Sequence, residues 1–115
     1  MSVLEGLKPE KVFKYFEEIS AIPRGSKHEE KISEYLYNFG KSRGLETITD
    51  DAMNVIIKKE ATPGYENAPT IIIQGHMDMV WEKNLDTEFD FENEGLKLFV
   101  EGDFIKAHGT TLGAD

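Results

Sequence analysis

Cysteine is absent from the 115-residue chain, which excludes a disulfide scaffold, a thiolate zinc site and a cysteine nucleophile together. No apolar run approaches the ~20 residues of a membrane-spanning helix. The first residues, Met1-Ser2-Val3-Leu4-Glu5, lack the basic-then-apolar order of a secretory signal. Positive charge is scarce: 13 Lys and Arg stand against 22 Asp and Glu, for a formal net charge of −9. A nucleic-acid partner is therefore not expected, because phosphate binding needs clustered Lys and Arg. Gly-rich phosphate loops and the G-x-S-x-G nucleophile elbow are also missing. What the chain does have is 39% hydrophobic residues, enough to build the core of one domain. The expectation is a soluble, acidic, cytoplasmic domain with neither a nucleic-acid nor a membrane partner.

Hydrophobic spacing predicts a helix over residues 8–20. Pro9 suits its first turn, and Val12, Phe13, Phe16 and Ile19 line one face. A second helix is predicted to open at Ser26, which with Glu29 forms a capping-box pattern. It carries Ile32, Tyr35, Leu36 and Phe39 as a buried stripe and stops at Gly44. Residues 45–49 and 54–58 are rich in β-branched side chains and read as strands separated by Asp50-Asp51. Thr70-Ile71-Ile72-Ile73 is a continuous apolar run, as expected of a strand covered on both faces. Residues 82–95 read as a solvated surface excursion. Residues 96–100 and 104–107 flank Glu101-Gly102-Asp103 as a hairpin. This order of helices and strands predicts an α/β fold, a layered sheet with flanking helices.

The densest chemical signal is Gln74-Gly75-His76-Met77-Asp78, directly after the apolar run. In extended backbone His76 and Asp78 point to the same side, at the strand end where α/β sheets place ligands. A histidine can offer one ring nitrogen to a metal while a carboxylate holds the other ring N–H. Asp78 can be that supporting carboxylate or a ligand itself, and the same pair also suits a structural hydrogen bond. Asp115 follows the small-residue run 109–114, whose glycines allow close backbone approach; it reads either as a metal-site carboxylate or as a turn aspartate. His28 is expected in the first turn of the second helix, exposed, because no second histidine follows at zinc-helix spacing. His108 closes a hairpin strand, in a structural or substrate-side position. Trp81 and Phe89 read as packing aromatics.

Together, Ile22-Pro23-Arg24, Ser26 with His28-Glu29, Gln74-Gly75-His76-Met77-Asp78-Met79-Val80 and Gly109-Thr110-Thr111-Leu112-Gly113-Ala114-Asp115 form a recognisable order. The chain resembles the aminoacyl-histidine (Xaa-His) dipeptidases, or peptidase D group, within the M20 family of di-zinc metallopeptidases. The resemblance extends over essentially all of its length. It implies that His76 is a ligand of one zinc, that Asp78 is the catalytic-site carboxylate orienting that histidine, and that Asp115 bridges two zinc ions. It implies a small peptide substrate, hydrolysed by water that the paired metals activate. Trp81 and His108 depart from the proline and arginine expected in relatives.

The resemblance also implies that residues 1–115 are the N-terminal portion of a catalytic domain. The glutamate pair, the remaining zinc ligands and the lid and dimerisation domain would follow after Asp115. Catalytic zinc usually takes three protein ligands. The chain alone is therefore expected to be inactive, while the intact protein would hydrolyse dipeptides such as β-alanyl-histidine as a homodimer. An unpaired strand edge would make the isolated chain self-associate. Two alternatives stand beside this reading: another M20-type tripeptidase or amino-acid deacylase, and a non-catalytic α/β binding domain.

Overall fold

The computed structural model describes residues 2–113. Their elements run α1 (Glu10–Ser20), α2 (Glu30–Ser42), β1 (Glu46–Thr49), β2 (Val55–Lys58), β3 (Leu98–Glu101) and β4 (Phe104–Ala107). The mixed α/β composition is the one expected. The strands pair as two antiparallel two-stranded sheets, β1 with β2 and β3 with β4. Two compact units are present, Met1–Ile32 with Asp78–Asp115, and Ser33–Met77.

In the Ser33–Met77 unit, local chemistry accounts for the boundaries. At the end of α2, Gly44 adopts φ +70. The Gly44 amide donates to the Lys41 carbonyl at 3.0 Å and the Leu45 amide to the Gly40 carbonyl at 3.1 Å. That pair of bonds is a Schellman stop, and glycine fits its left-handed position. Gly40 is buried because β1 packs against it: a Cβ there would lie 2.1 Å from Thr47 Oγ1. The β1–β2 hairpin is organised by Asp50, whose carboxylate accepts from the Ala52 and Asn54 amides at 2.9 and 3.0 Å and from Asn54 Nδ2 at 3.0 Å. These bonds, the Asn54 side chain first, hold the Asp50 carboxyl below its usual range.

The expected two-sided strand at residues 70–73 does not form. Ile71, Ile72 and Ile73 are 83%, 87% and 95% exposed, and no β-pairing involves them among the described residues. A strand exists only through its ladder partners, and both hairpins satisfy their ladders internally. Apolar sequence alone therefore does not make a strand here, and the segment stays exposed.

In the other unit, α1 starts one residue after Pro9, whose extended conformation ends the preceding chain. Phe13, Phe16 and Ile19 are half-buried, while Val12 of the predicted face is exposed. Leu4, Ile32, Met79 and Leu98 are the buried apolar residues of this unit. The Leu96 amide donates to the Ser20 carbonyl at 2.9 Å, tying the approach to β3 to the end of α1. Between β3 and β4, Gly102 at φ +61 makes the turn, as its position in the predicted hairpin requires.

Candidate active site

Helix α2 begins at Glu30, not at Ser26. Residues 25–28 form a turn instead, closed by the His28 amide on the Gly25 carbonyl at 2.7 Å, with Lys27 at φ +70. Glu29 accepts from the Lys27 amide at 2.8 Å. Ser26 is thereby freed from the predicted capping box, and its Oγ donates to Asp78 Oδ2 at 2.5 Å. A charge-assisted bond to a carboxylate outcompetes a helix-capping bond to a neutral amide. His28 correspondingly sits before the helix, exposed as expected but not in its first turn.

The segment carrying Asp78 is braced along its backbone. The Met79 amide donates to the Arg24 carbonyl at 2.8 Å and the Ser26 amide to the Met79 carbonyl at 3.1 Å, a parallel bridge centred on Gly25 and Met79. Arg24 is only 2% exposed, and its Nη2 donates to the Leu112 carbonyl at 2.9 Å. Gly113, at φ +57, lies so close that a Cβ there would meet Met79 Cβ at 2.6 Å. Thr111 Oγ1 donates to the Val80 carbonyl at 2.6 Å and the Thr111 amide to the Glu82 carbonyl at 2.9 Å. Segments 24–26, 78–82 and 109–113 thus meet, although they are dispersed in the sequence.

Trp81 extends this arrangement into an aromatic stack. Its ring lies 4.8 Å from His28 and 5.7 Å from Phe91, nearly parallel to both. Phe89 packs edge-on to Phe91 at 4.8 Å, with the Lys97 ammonium 5.1 Å from the Phe89 ring centre. The expected surface excursion therefore contributes half-buried aromatic packing. Its Asp90 carboxyl is held below the usual range, first by Asn93 Nδ2 at 2.7 Å and then by the Glu92 amide. A surface cavity of about 370 Å³ opens here, with Pro23, His28, Trp81, Glu30 and Glu92 among its lining residues. His108 stacks on Phe99 at 4.1 Å, a packing position.

Of the predicted site residues, Asp78 is half-buried and bonded to Ser26. His76 is exposed at the end of the Ser33–Met77 unit. Asp115 lies outside the described residues. Imidazole and carboxylate are donors of the kind zinc takes, but among the described residues no three His, Asp or Glu side chains gather as a metal-holding group. The donors present fit part of a metal site only. Sequence reading missed Arg24 and Ser26 as contributors: the S-x-x-E spacing pointed to a helix cap, and nothing in it signals a carboxylate 52 positions away.

No protein-family profile matches the chain. Over all 115 residues it is 41% identical to the cytosol non-specific dipeptidase of Escherichia coli (strain K12). It spans about a quarter (24%) of that relative's length. A crystal structure of aminoacylhistidine dipeptidase from Vibrio alginolyticus superposes with a TM-score of 0.93 and 40% identity, over 97% of this chain and 23% of that one. The likeness to dipeptidases drawn from the motifs thus holds in both sequence and fold along the chain.

Proposed function

We propose that the chain carries part of the catalytic domain of a metal-dependent dipeptidase, with His76 and Asp115 as zinc-binding residues and Asp78 as the carboxylate that orients His76. The observation that carries this reading is a likeness to dipeptidases that runs through the whole chain, in sequence and in fold. Zinc, when bound, would supply Lewis-acid polarisation of a peptide carbonyl and an activated water. The residues of this chain hold and orient: Ser26 donates to Asp78 Oδ2 and fixes the setting of that carboxylate, whose role toward His76 would be to hold a ring N–H. The substrate we propose is a small dipeptide of Xaa-His type, such as β-alanyl-histidine. That is the narrower of the two specificities in the relatives' names. The intact protein would act in the cytoplasm, as the name of the E. coli relative suggests, and as a homodimer.

A second reading, a non-catalytic α/β domain, is favoured by the incomplete donor set among the described residues. Hydrolysis of β-alanyl-histidine and a small dipeptide panel with added zinc separates the two. The 115-residue chain is expected to be inactive. A polypeptide continued to the length of the relatives is expected to be active, and to lose activity by more than about 100-fold on His76→Ala. No dipeptide hydrolysis by the longer polypeptide would refute the enzymatic reading.

A further inference from the structure

The turn at residues 24–26 has the geometry of a strap rather than of a connection. Its backbone is tied on both sides to Met79, so the Ser26 hydroxyl is presented from a braced frame. A carboxylate can rotate about its last side-chain bond, and the 2.5 Å bond from Ser26 Oγ fixes which oxygen faces the strap. Arg24 is the second unusual choice. Burying a guanidinium to 2% exposure carries a desolvation cost that a methionine of similar volume would not incur. What the guanidinium adds is a directed donor, aimed at the Leu112 carbonyl. On its other side the same loop is pressed onto Met79 at Gly113, where there is no room for a side chain.

We propose that Ser26 and Arg24 are positioning residues. Ser26 sets the orientation of the Asp78 carboxylate, and Arg24 sets the distance between segment 78–80 and the loop that leads into Asp115. The inference rests on the functional reading of Asp78 and Asp115 given above and deepens it. One short strap is tied to Met79 through its backbone and to the Leu112 carbonyl through the Arg24 side chain, so it registers segment 78–80 against the loop at residues 109–113.

The test uses the 115-residue chain and two spectroscopic readouts. Carboxyl ¹³C resonances report the Asp78 hydrogen bond. Ser26→Ala is expected to move the Asp78 resonance, Ser26→Thr to restore it, and Ser42→Ala, which removes a hydroxyl that donates to the Phe39 carbonyl and accepts from the neighbouring Arg43 guanidinium, to leave it in place. Arg24→Lys is expected to speed exchange of the Thr111 amide about tenfold, the opening that loss of a directed charged donor produces. Amides of the β3–β4 hairpin should keep their protection, which shows that the unit remains folded. An Asp78 resonance indifferent to Ser26→Ala, or a Thr111 amide indifferent to Arg24→Lys, overturns the proposal. Failure of the functional reading would show separately, as absence of dipeptide hydrolysis in the unsubstituted longer polypeptide, a result on which neither resonance nor exchange depends.

Discussion

Replacing Gly25 by alanine places a methyl group 2.0 Å from Trp81 Cε2 and 2.4 Å from both Cζ2 and Nε1. Carbon atoms settle at ~3.5 Å or more, so the indole must retreat by roughly 1.5 Å. A rigid ring cannot bend away as a lysine tip can. It is also held between His28 and Phe91 at 4.8 and 5.7 Å, so moving it disrupts both stacks. Each aromatic pair contributes about 0.5–1.5 kcal/mol, and forcing extra volume into packed structure costs about 1–3 kcal/mol. The two terms describe alternative ways of relieving one clash and do not add fully. A loss of about 2–3 kcal/mol is therefore expected. The chain holds a single tryptophan, so its fluorescence reads this site alone: Gly25→Ala should shift the emission to the red and lower the denaturation midpoint. The double-mutant cycle is the sharper check, because after Trp81→Ala the same glycine substitution should cost less than about 0.5 kcal/mol, followed by circular dichroism. An equal cost in both backgrounds would refute the claim that the indole dictates glycine at position 25.

Ser20 is 1% exposed, and among the described residues its hydroxyl has no hydrogen-bond partner. Ser20→Ala should therefore stabilise the chain by about 1 kcal/mol, and a lowered denaturation midpoint would contradict that. Asp50 titrates below its ordinary 3.8, so its contribution to the β1–β2 turn is complete above that value and is lost as the pH falls through it and below. Exchange at the Asn54 amide, which donates to that carboxylate, should accelerate on acidification below about pH 4 more than at other hairpin amides; Asp50→Ala should remove the extra pH dependence. The open Ile71–Ile73 run should drive self-association of the 115-residue chain, with Ile72→Lys reducing it. Light scattering that finds the unsubstituted chain monomeric at high concentration would count against this.

Much of the architecture is written in short-range signals. The Gly44 helix stop, the hairpin over residues 98–107 and the strand pair around Asp50 each depend on residues within a few positions of one another, so local chemistry settles them. The motif containing His76 and Asp78 is legible for the same reason, as is the likeness to dipeptidases. What depended on distant partners was not legible. Residues 70–73 have the composition of a buried strand, yet they are exposed and no strand pairs with them among the described residues. Ser26 has the spacing of a helix cap, yet it meets a carboxylate far along the chain, and a charged acceptor wins over a neutral one. Arg24, in a sequence otherwise rich in exposed charge, gives no sign that it is buried against the loop before Asp115. By itself the sequence determined the mixed α/β composition, the α2 stop at Gly44 and the β3–β4 hairpin. Only the tertiary structure decided which residues are braced, because hydrogen bonding and close packing between remote segments depend on three-dimensional proximity, which no local pattern encodes.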